Sequence, residues 1–206
     1  PTYNEAKNIE KLIPKLLEQN IDMLFIDDSS EDGTAQLIKE WMNNSKKINL
    51  IERPAKLGLG TAYVTGFKWA LKKNYQYILE MDADLSHDPY EIPNFVKKCE
   101  EGYDLVIGSR YTRGTISVVG WDFRRLLLSK FANKYATTIL GLGFLTDVTS
   151  GYRCYHRKVL EALDLDSIKS NGYSFQIEMV YRAHKIGFRI IEIPIIFYER
   201  NSGTSK

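Results

Sequence analysis

The chain has 206 residues, 44% of them hydrophobic and 26% charged, and its 28 basic and 26 acidic residues leave a formal net charge of +2. That length and mixture fit one globular domain with a full core, and the near balance of charge argues against a protein that coats nucleic acid. No run approaches the ~18–20 consecutive apolar residues that span a bilayer, and Cys99 and Cys154, without metal-like spacing, read as reduced thiols.

The opening Pro1-Thr2-Tyr3-Asn4-Glu5 reads as the exit of a strand into a helix, so a first strand is expected before residue 1. Asn4 stands where it can cap a helix whose Ile9, Leu12, Ile13, Leu16 and Leu17 fall at helical spacing. Met23-Leu24-Phe25-Ile26 then makes a short buried strand ending at Asp27-Asp28, and Asp32-Gly33 makes a turn. A helix over 34–42, a strand over 48–51, a helix over 61–71 and a strand over 77–81 follow. Asp88, Pro89 and Glu91 have the spacing of a capping box at the start of another helix. Strand 105–107 ends at Gly108-Ser109-Arg110. Beyond it come an amphipathic helix over 122–140, a loop over 147–153, a helix over 175–185 and an apolar stretch over 190–197. This alternation is the signature of βα units around a mostly parallel sheet. No linker or repeat divides the chain, and the expectation is a single α/β domain over residues 1–206.

In open α/β sheets ligands bind outside the carboxyl ends of the strands. The informative residues fall there: Tyr3, Asn4 and Glu5, then Asp27 and Asp28, then Asp82 and Asp84. Residues i and i+2 of an extended segment point the same way, so Asp82 and Asp84 crowd one side of a strand end. Like charges that close need a cation between them. A hard divalent ion, Mg2+ or Mn2+, would take their oxygens and leave sites for the phosphates of a nucleotide. His87, beside the cap at Asp88, reads as a surface residue rather than a third ligand. A phosphorelay receiver shares the acidic pair of "FIDDSSEDG", but it needs a shorter chain and a single later Asp. Here Asp82-Ala83-Asp84 is followed by a second half rich in arginine, which favours an enzyme.

The strings "PTYNEAKNI", "IDDSSEDGT", "RPAKLGLGTAYVTGFKWA", "MDADLSHDP", "GSRYTRG", "WDFRRLLLSKFAN", "TSGYRCYHRKVL", "GYSFQIEMVYRA" and "IPIIFYERNSGTSK" follow one another across nearly the whole sequence. Together they resemble the catalytic domain of the dolichyl-phosphate (polyprenyl-phosphate) mannosyltransferases, of glycosyltransferase family two. The resemblance implies the GT-A fold, a Rossmann-like central sheet flanked by helices. It also implies inverting transfer of mannose from GDP-mannose to a polyprenyl (dolichyl) phosphate. Carried over residue by residue, Pro1, Tyr3, Glu5 and Asp28, with Asp27 beside them, would hold base and ribose. Asp82 and Asp84 would ligate the metal and Ala83 would pack at the nucleotide. Ser86 stands where some members have a further metal ligand, Gln.

A phosphate monoester has its second pKa near 6 and is mostly dianionic at neutral pH. Such an acceptor needs cationic positioning more than a general base. Arg110, Arg113, Arg124 and Arg125 cluster after the acidic motif, and the guanidinium fork suits phosphate oxygens. By resemblance Arg110 and Arg124 take the acceptor phosphate, while Arg113 and Arg125 read as solvated charges. Arg200 resembles the position that closes on the nucleotide diphosphate, with Lys206 helping, in a stretch "RNSGTSK" that has the look of a lid. The catalytic set is then Asp84, Arg110, Arg124 and Arg200. Asp147, Ser150, Gly151 and Arg153 read as fold-supporting, and Glu178 as pairing with Arg182 at i+4. Along 122–140, Phe123, Leu126, Leu127, Phe131, Tyr135 and Ile139 form a stripe near Arg124, Arg125, Lys130 and Lys134. It reads mostly as core, with its start near Trp121 meeting a membrane surface. The expected place of action is the cytoplasmic side of a membrane, with an anchoring segment or subunit outside this chain. The alternatives are another donor such as UDP-glucose on the same lipid, and a non-catalytic nucleotide-sugar module.

Overall fold

The computed structural model describes residues 1–199, the side chain of Arg113 excepted. Helix α1 (Ala6–Glu18) buries Ile9, Leu12, Ile13 and Leu16 at the spacing of one helical face. They pack in one cluster with Met23 and Phe25 of strand β1 (Met23–Asp27). The cap of α1 is not Asn4. Asn4 stands at φ 54° and accepts from the Glu31 N–H. The next turn supplies the cap: Glu5 N–H donates to the Thr34 hydroxyl at 2.9 Å, and Ala6 N–H to the Asp32 carboxylate at 3.0 Å. Asp32 also accepts from the Thr34 N–H at the start of α2 (Thr34–Asn44), so one carboxylate serves two helix starts. Gly33, at φ 90°, makes that turn without strain.

β1 pairs in parallel with β2 (Ile48–Glu52), from Met23 opposite Ile48 to Asp27 opposite Glu52. After α3 (Leu59–Leu71) comes a four-stranded sheet containing β3 (Tyr77–Glu80), β4 (Leu105–Ser109), β6 (Arg153–His156) and β7 (Ile190–Pro194). Its order is β3-β6-β4-β7; β7 is parallel to β4, and β6 is antiparallel to both its neighbours. The sequence pattern places a loop over 147–153 and no strand there, because Arg-Cys-Tyr-His has no apolar run. Burial on both faces explains it: Cys154 joins one core and Tyr155 the other. Cys99 of α4 (Ile92–Glu100) lies against Cys154, its thiol donating to the Cys154 sulfur at 3.7 Å with no disulfide between them.

One core gathers α1, α2 and α4; the other gathers α3, α6 (Arg157–Ala162) and α7 (Tyr173–Ile186). Helices on two faces of a mixed, mostly parallel sheet make the expected α/β sandwich. β5 (Val118–Val119) and β8 (Phe197–Tyr198) form a small parallel pair flanking α5 (Phe123–Ile139). β1 and β3 do not pair with each other. Between them runs an apolar channel of about 510 Å³, with Leu24, Ile26, Ile78 and Leu79 among its walls. Thr2 lies at one end, donating its N–H to the Ile26 carbonyl (2.8 Å) and accepting from the Asp28 N–H (3.0 Å). Among the described residues no helix is long and apolar enough to cross a membrane.

Candidate active site

The segment before α1 and the ends of β1 and β3 come together, and each acid there is fixed differently. Asp27 is buried and fully engaged. It accepts from the Thr2 hydroxyl (2.9 Å), the Ser30 hydroxyl (2.6 Å) and the Ser30 N–H (2.8 Å), so it ties the chain before α1 to β1. Asp28 takes a two-pronged contact from Arg53, at 2.5 and 2.6 Å. Arg53 also reaches the Thr61 hydroxyl and the Gly58 carbonyl at the start of α3. Sequence reasoning passed over Arg53; its signal was an arginine just past the end of the neighbouring strand. Pro1 lies within electrostatic reach of Asp28, Asp82, Glu80 and Arg53, which places the first and third strand ends together. Tyr3 carries the Lys56 ammonium 4.6 Å over its ring, and Glu5 accepts from the Asn8 amide.

After β3 the chain turns sharply, with Leu85 at φ 64°. Asp82 accepts from the Tyr63 hydroxyl at 3.2 Å. Asp84 is buried, and one of its oxygens accepts both the Ser86 N–H (3.0 Å) and the Ser86 hydroxyl (2.5 Å). Ser86 thus sets the orientation of Asp84. Ala83 turns into the core cluster with Ile92 and Phe95. His87 is not a surface residue: it is buried, its Nδ1 accepts from the Asp82 N–H at 3.3 Å, and its ring stacks on Tyr152. Burial pushes its pKa down, leaving a neutral ring that steadies the backbone of Asp82. Asp88 caps as expected through the Tyr90 N–H, but Glu91 bonds Asn94 instead of reaching back. A 3-10 turn over Pro89–Glu91 precedes α4 and breaks the reciprocal box.

Behind Asp82 lies Glu80, whose carboxyl burial pushes up to about 8 against the pull of Arg153. Arg153 is fully buried and 3.7 Å from Glu80. Asp147 holds Arg110, with both Nε and Nη2 at 2.6 Å from its carboxylate, and Thr149 accepts a further bond. Two of the three Arg110 nitrogens are therefore engaged. The guanidinium lies 5.3–5.5 Å from the rings of Tyr111, Trp121 and Phe197. Arg124 is exposed in the first turn of α5 and makes no ion pair among the described residues. Arg125 is not simply solvated, since it pairs with Glu199 and covers Trp121. Glu178 pairs with Arg182 as expected. Arg200 and Lys206, and the side chain of Arg113, lie outside the described residues.

α5 reverses the usual polarity of a surface helix. Its buried positions are Asn133 and Thr137, while Phe123, Leu127, Leu128, Phe131, Tyr135 and Ile139 are exposed, several near 70%. The core expectation for this stripe fails because polar bonds hold the helix down. Asn133 exchanges hydrogen bonds with Thr149, and Ser129 meets the Tyr111 hydroxyl.

Among the described residues no group of three or more His, Cys, Asp and Glu side chains gathers as a metal cage. Two neighbouring carboxylates are nonetheless donors of the kind a magnesium-like ion uses. The carboxylate pair at the end of β3 thus faces the end of β1 and the segment before α1. Residues 1–164 match Glycosyl transferase family 2. The chain belongs to that family. Two relatives align along the whole of it. One is the polyprenol monophosphomannose synthase of Mycolicibacterium smegmatis, 43% identical and covered over 78% of its length. The other is the undecaprenyl-phosphate mannosyltransferase of Micrococcus luteus, 40% identical and covered over 84%. Among solved structures, the glucosyl-3-phosphoglycerate synthase of Mycobacterium tuberculosis with Mn2+, UDP and product superposes with a TM-score of 0.73. That match has 19% identity and covers 98% of this chain and 71% of the other. A mannosyltransferase of Pyrobaculum calidifontis with GDP-Man and Mn2+ gives 0.64 at 19% identity, over 97% of this chain and 55% of the other. These likenesses establish the GT-A fold for this family 2 member.

Proposed function

We propose that the protein moves mannose from GDP-mannose to a polyprenyl (dolichyl) phosphate, with inversion, at the cytoplasmic face of a membrane. The observation that carries this reading is the pair Asp82 and Asp84 at the end of β3, set against Asp28 and Pro1. The names of the two relatives that align along this whole chain support the acceptor and the sugar. An oxygen of the acceptor phosphate bonds to the anomeric carbon as the bond from that carbon to the GDP oxygen breaks. The acceptor is already a dianion, so no side chain need remove a proton.

Pro1, Tyr3, Glu5 and Asp28 would line base and ribose, Arg53 keeping Asp28 in place. Asp82 and Asp84 would hold Mg2+ or Mn2+, which supplies positive charge to the departing diphosphate. Arg110, through its remaining edge, and Arg124 would position the acceptor phosphate. Arg200 and Lys206 remain proposed for the diphosphate. α5 would lie in the membrane interface, its apolar side outward and Lys130 and Lys134 beside the lipid head groups. No acidic residue occurs from 123 to 140, which favours an anionic surface over a second copy of the same helix. The channel between β1 and β3 fits a parallel strand leading into Pro1, which would join the two sheets.

Titration of GDP, UDP, GDP-mannose and UDP-glucose, each with Mn2+ and then with excess chelator, tests the donor. Metal-dependent preference for the guanosine ligands, followed by mannose transfer to a polyprenyl phosphate, is expected. Preference for the uridine ligands would replace the donor.

A further inference from the structure

The first turn of α7 brings Gln176 to the back of the site. Its carbonyl oxygen accepts from Arg153 Nη1 at 2.7 Å, while Nε and Nη2 of the same guanidinium take the Ser150 and Val148 carbonyls at 2.8 and 2.6 Å. One buried arginine therefore fixes both the backbone of Gln176 and the loop before β6. The side chain of Gln176 is 2% exposed; neither its Nε2 nor its Oε1 reaches a partner at full hydrogen-bond geometry among the described residues, although the amide stands close enough to the buried Glu80 carboxyl to pull its pKa down. Buried amides are rarely left so, and each exception asks for an explanation.

Gly151 supplies the setting. A Cβ built on it would meet nothing closer than the Gln176 Nε2 and the two carboxylate oxygens of Asp82, all at 3.6 Å. The missing side chain leaves a small cradle between an amide and a carboxylate. Tyr63 and Glu80 stand beside it, Tyr63 bonded to Asp82 and Glu80 with one oxygen also unpartnered. An anion is disfavoured, because the Asp82 carboxylate faces the cradle and Arg153 is spent on three carbonyls. A neutral group that both donates and accepts is what an amide, a carboxylate and a phenol can bind together, and sugar hydroxyls do both.

We propose that Gln176 is a ligand of the donor hexose, its amide donating to one ring hydroxyl and accepting from the neighbouring one in the cradle over Gly151. This rests on the nucleotide-sugar reading above. The test compares GDP with GDP-mannose, in the presence of Mn2+, on the wild-type protein, Gln176→Leu and Gly151→Ala. Leu keeps the volume and removes both polar atoms; Ala adds one methyl at ordinary contact distance. Both variants are expected to keep GDP affinity within about 2-fold while the ratio of GDP-mannose to GDP affinity falls about 10-fold or more, the order expected when a site loses a hydroxyl partner. An unchanged ratio in both overturns the proposal and leaves Gln176 a structural amide satisfied by water. If Gln176→Leu loses GDP binding as well, it has misfolded and Gly151→Ala decides. If the wild type takes the uridine ligands instead, the donor reading fails, and the same ratio measured with UDP and UDP-glucose still decides the role of Gln176.

Discussion

The strand ends and α5 handle charge in opposite ways. At the strand ends Asp28 lies on Arg53, Asp147 on Arg110 and Glu80 against Arg153, each member of each pair being buried. On α5, Arg124, Lys130 and Lys134 stand in the open among exposed Phe123, Leu127 and Phe131. Buried pairs are costly to desolvate and gain their value by fixing geometry. Exposed cations are cheap to hold, act at a distance and are screened by salt. The groups at the strand ends are therefore held in place by buried partners, whereas those on α5 stand exposed and, in the proposed function, would be completed by a membrane surface.

The first way to break this contrast is at the carboxylates. Asp84→Ala should lower mannose transfer by about 10³-fold or more, the scale expected when stabilisation of a departing charge is removed. Its thermal midpoint should fall by far less than a loss of fold would require, since the Ser86 N–H and hydroxyl that Asp84 accepts are local, two residues away. Radiolabelled transfer and a melting curve measure the two separately; near-normal transfer would remove Asp84 from the chemistry. Arg53→Met comes next. It leaves Asp28 buried and unpaired, at a cost of about 3–5 kcal/mol. For a chain of this size that is a fall of roughly 10 °C in Tm. The double variant Asp28→Leu/Arg53→Met should recover most of the Tm but not the nucleotide affinity, which separates the structural from the binding role of the pair.

What could be read from the sequence follows the same division. Strand ends with acids announce themselves, because a carboxylate after an apolar run has few other reasons to be there. The helices and strands with clean periodicity, such as α1, β1 and β4, appear where the pattern put them. Partners distant in sequence were not legible. Arg53 meets Asp28 across 25 positions and Arg153 reaches Gln176 across 23, and no local spacing encodes either contact. β6 was missed because a four-residue strand buried on both faces has no period to show. α5 was misread for a subtler reason. Apolar periodicity says that one face leaves water; it does not say whether protein or lipid receives it.

That ambiguity makes α5 the place where the contrast can be sharpened, with a smaller effect. Lys130 and Lys134 lie one helical turn apart and are both exposed. A basic residue near an anionic bilayer contributes about 1 kcal/mol. Lys130→Gln/Lys134→Gln should therefore weaken binding to vesicles containing anionic lipid by roughly 30-fold at low salt, and by less as salt rises. Phe131→Ser should weaken binding to neutral and anionic vesicles alike, since it removes apolar surface instead of charge. GDP affinity should be unaffected in all of these variants, because in the proposed function the nucleotide would be read by buried groups at the strand ends, away from α5. Vesicle sedimentation alongside calorimetry measures both sides at once. If the lysine variant lost GDP binding together with vesicle binding, α5 would be part of the pocket and the two regions would have to be treated as one.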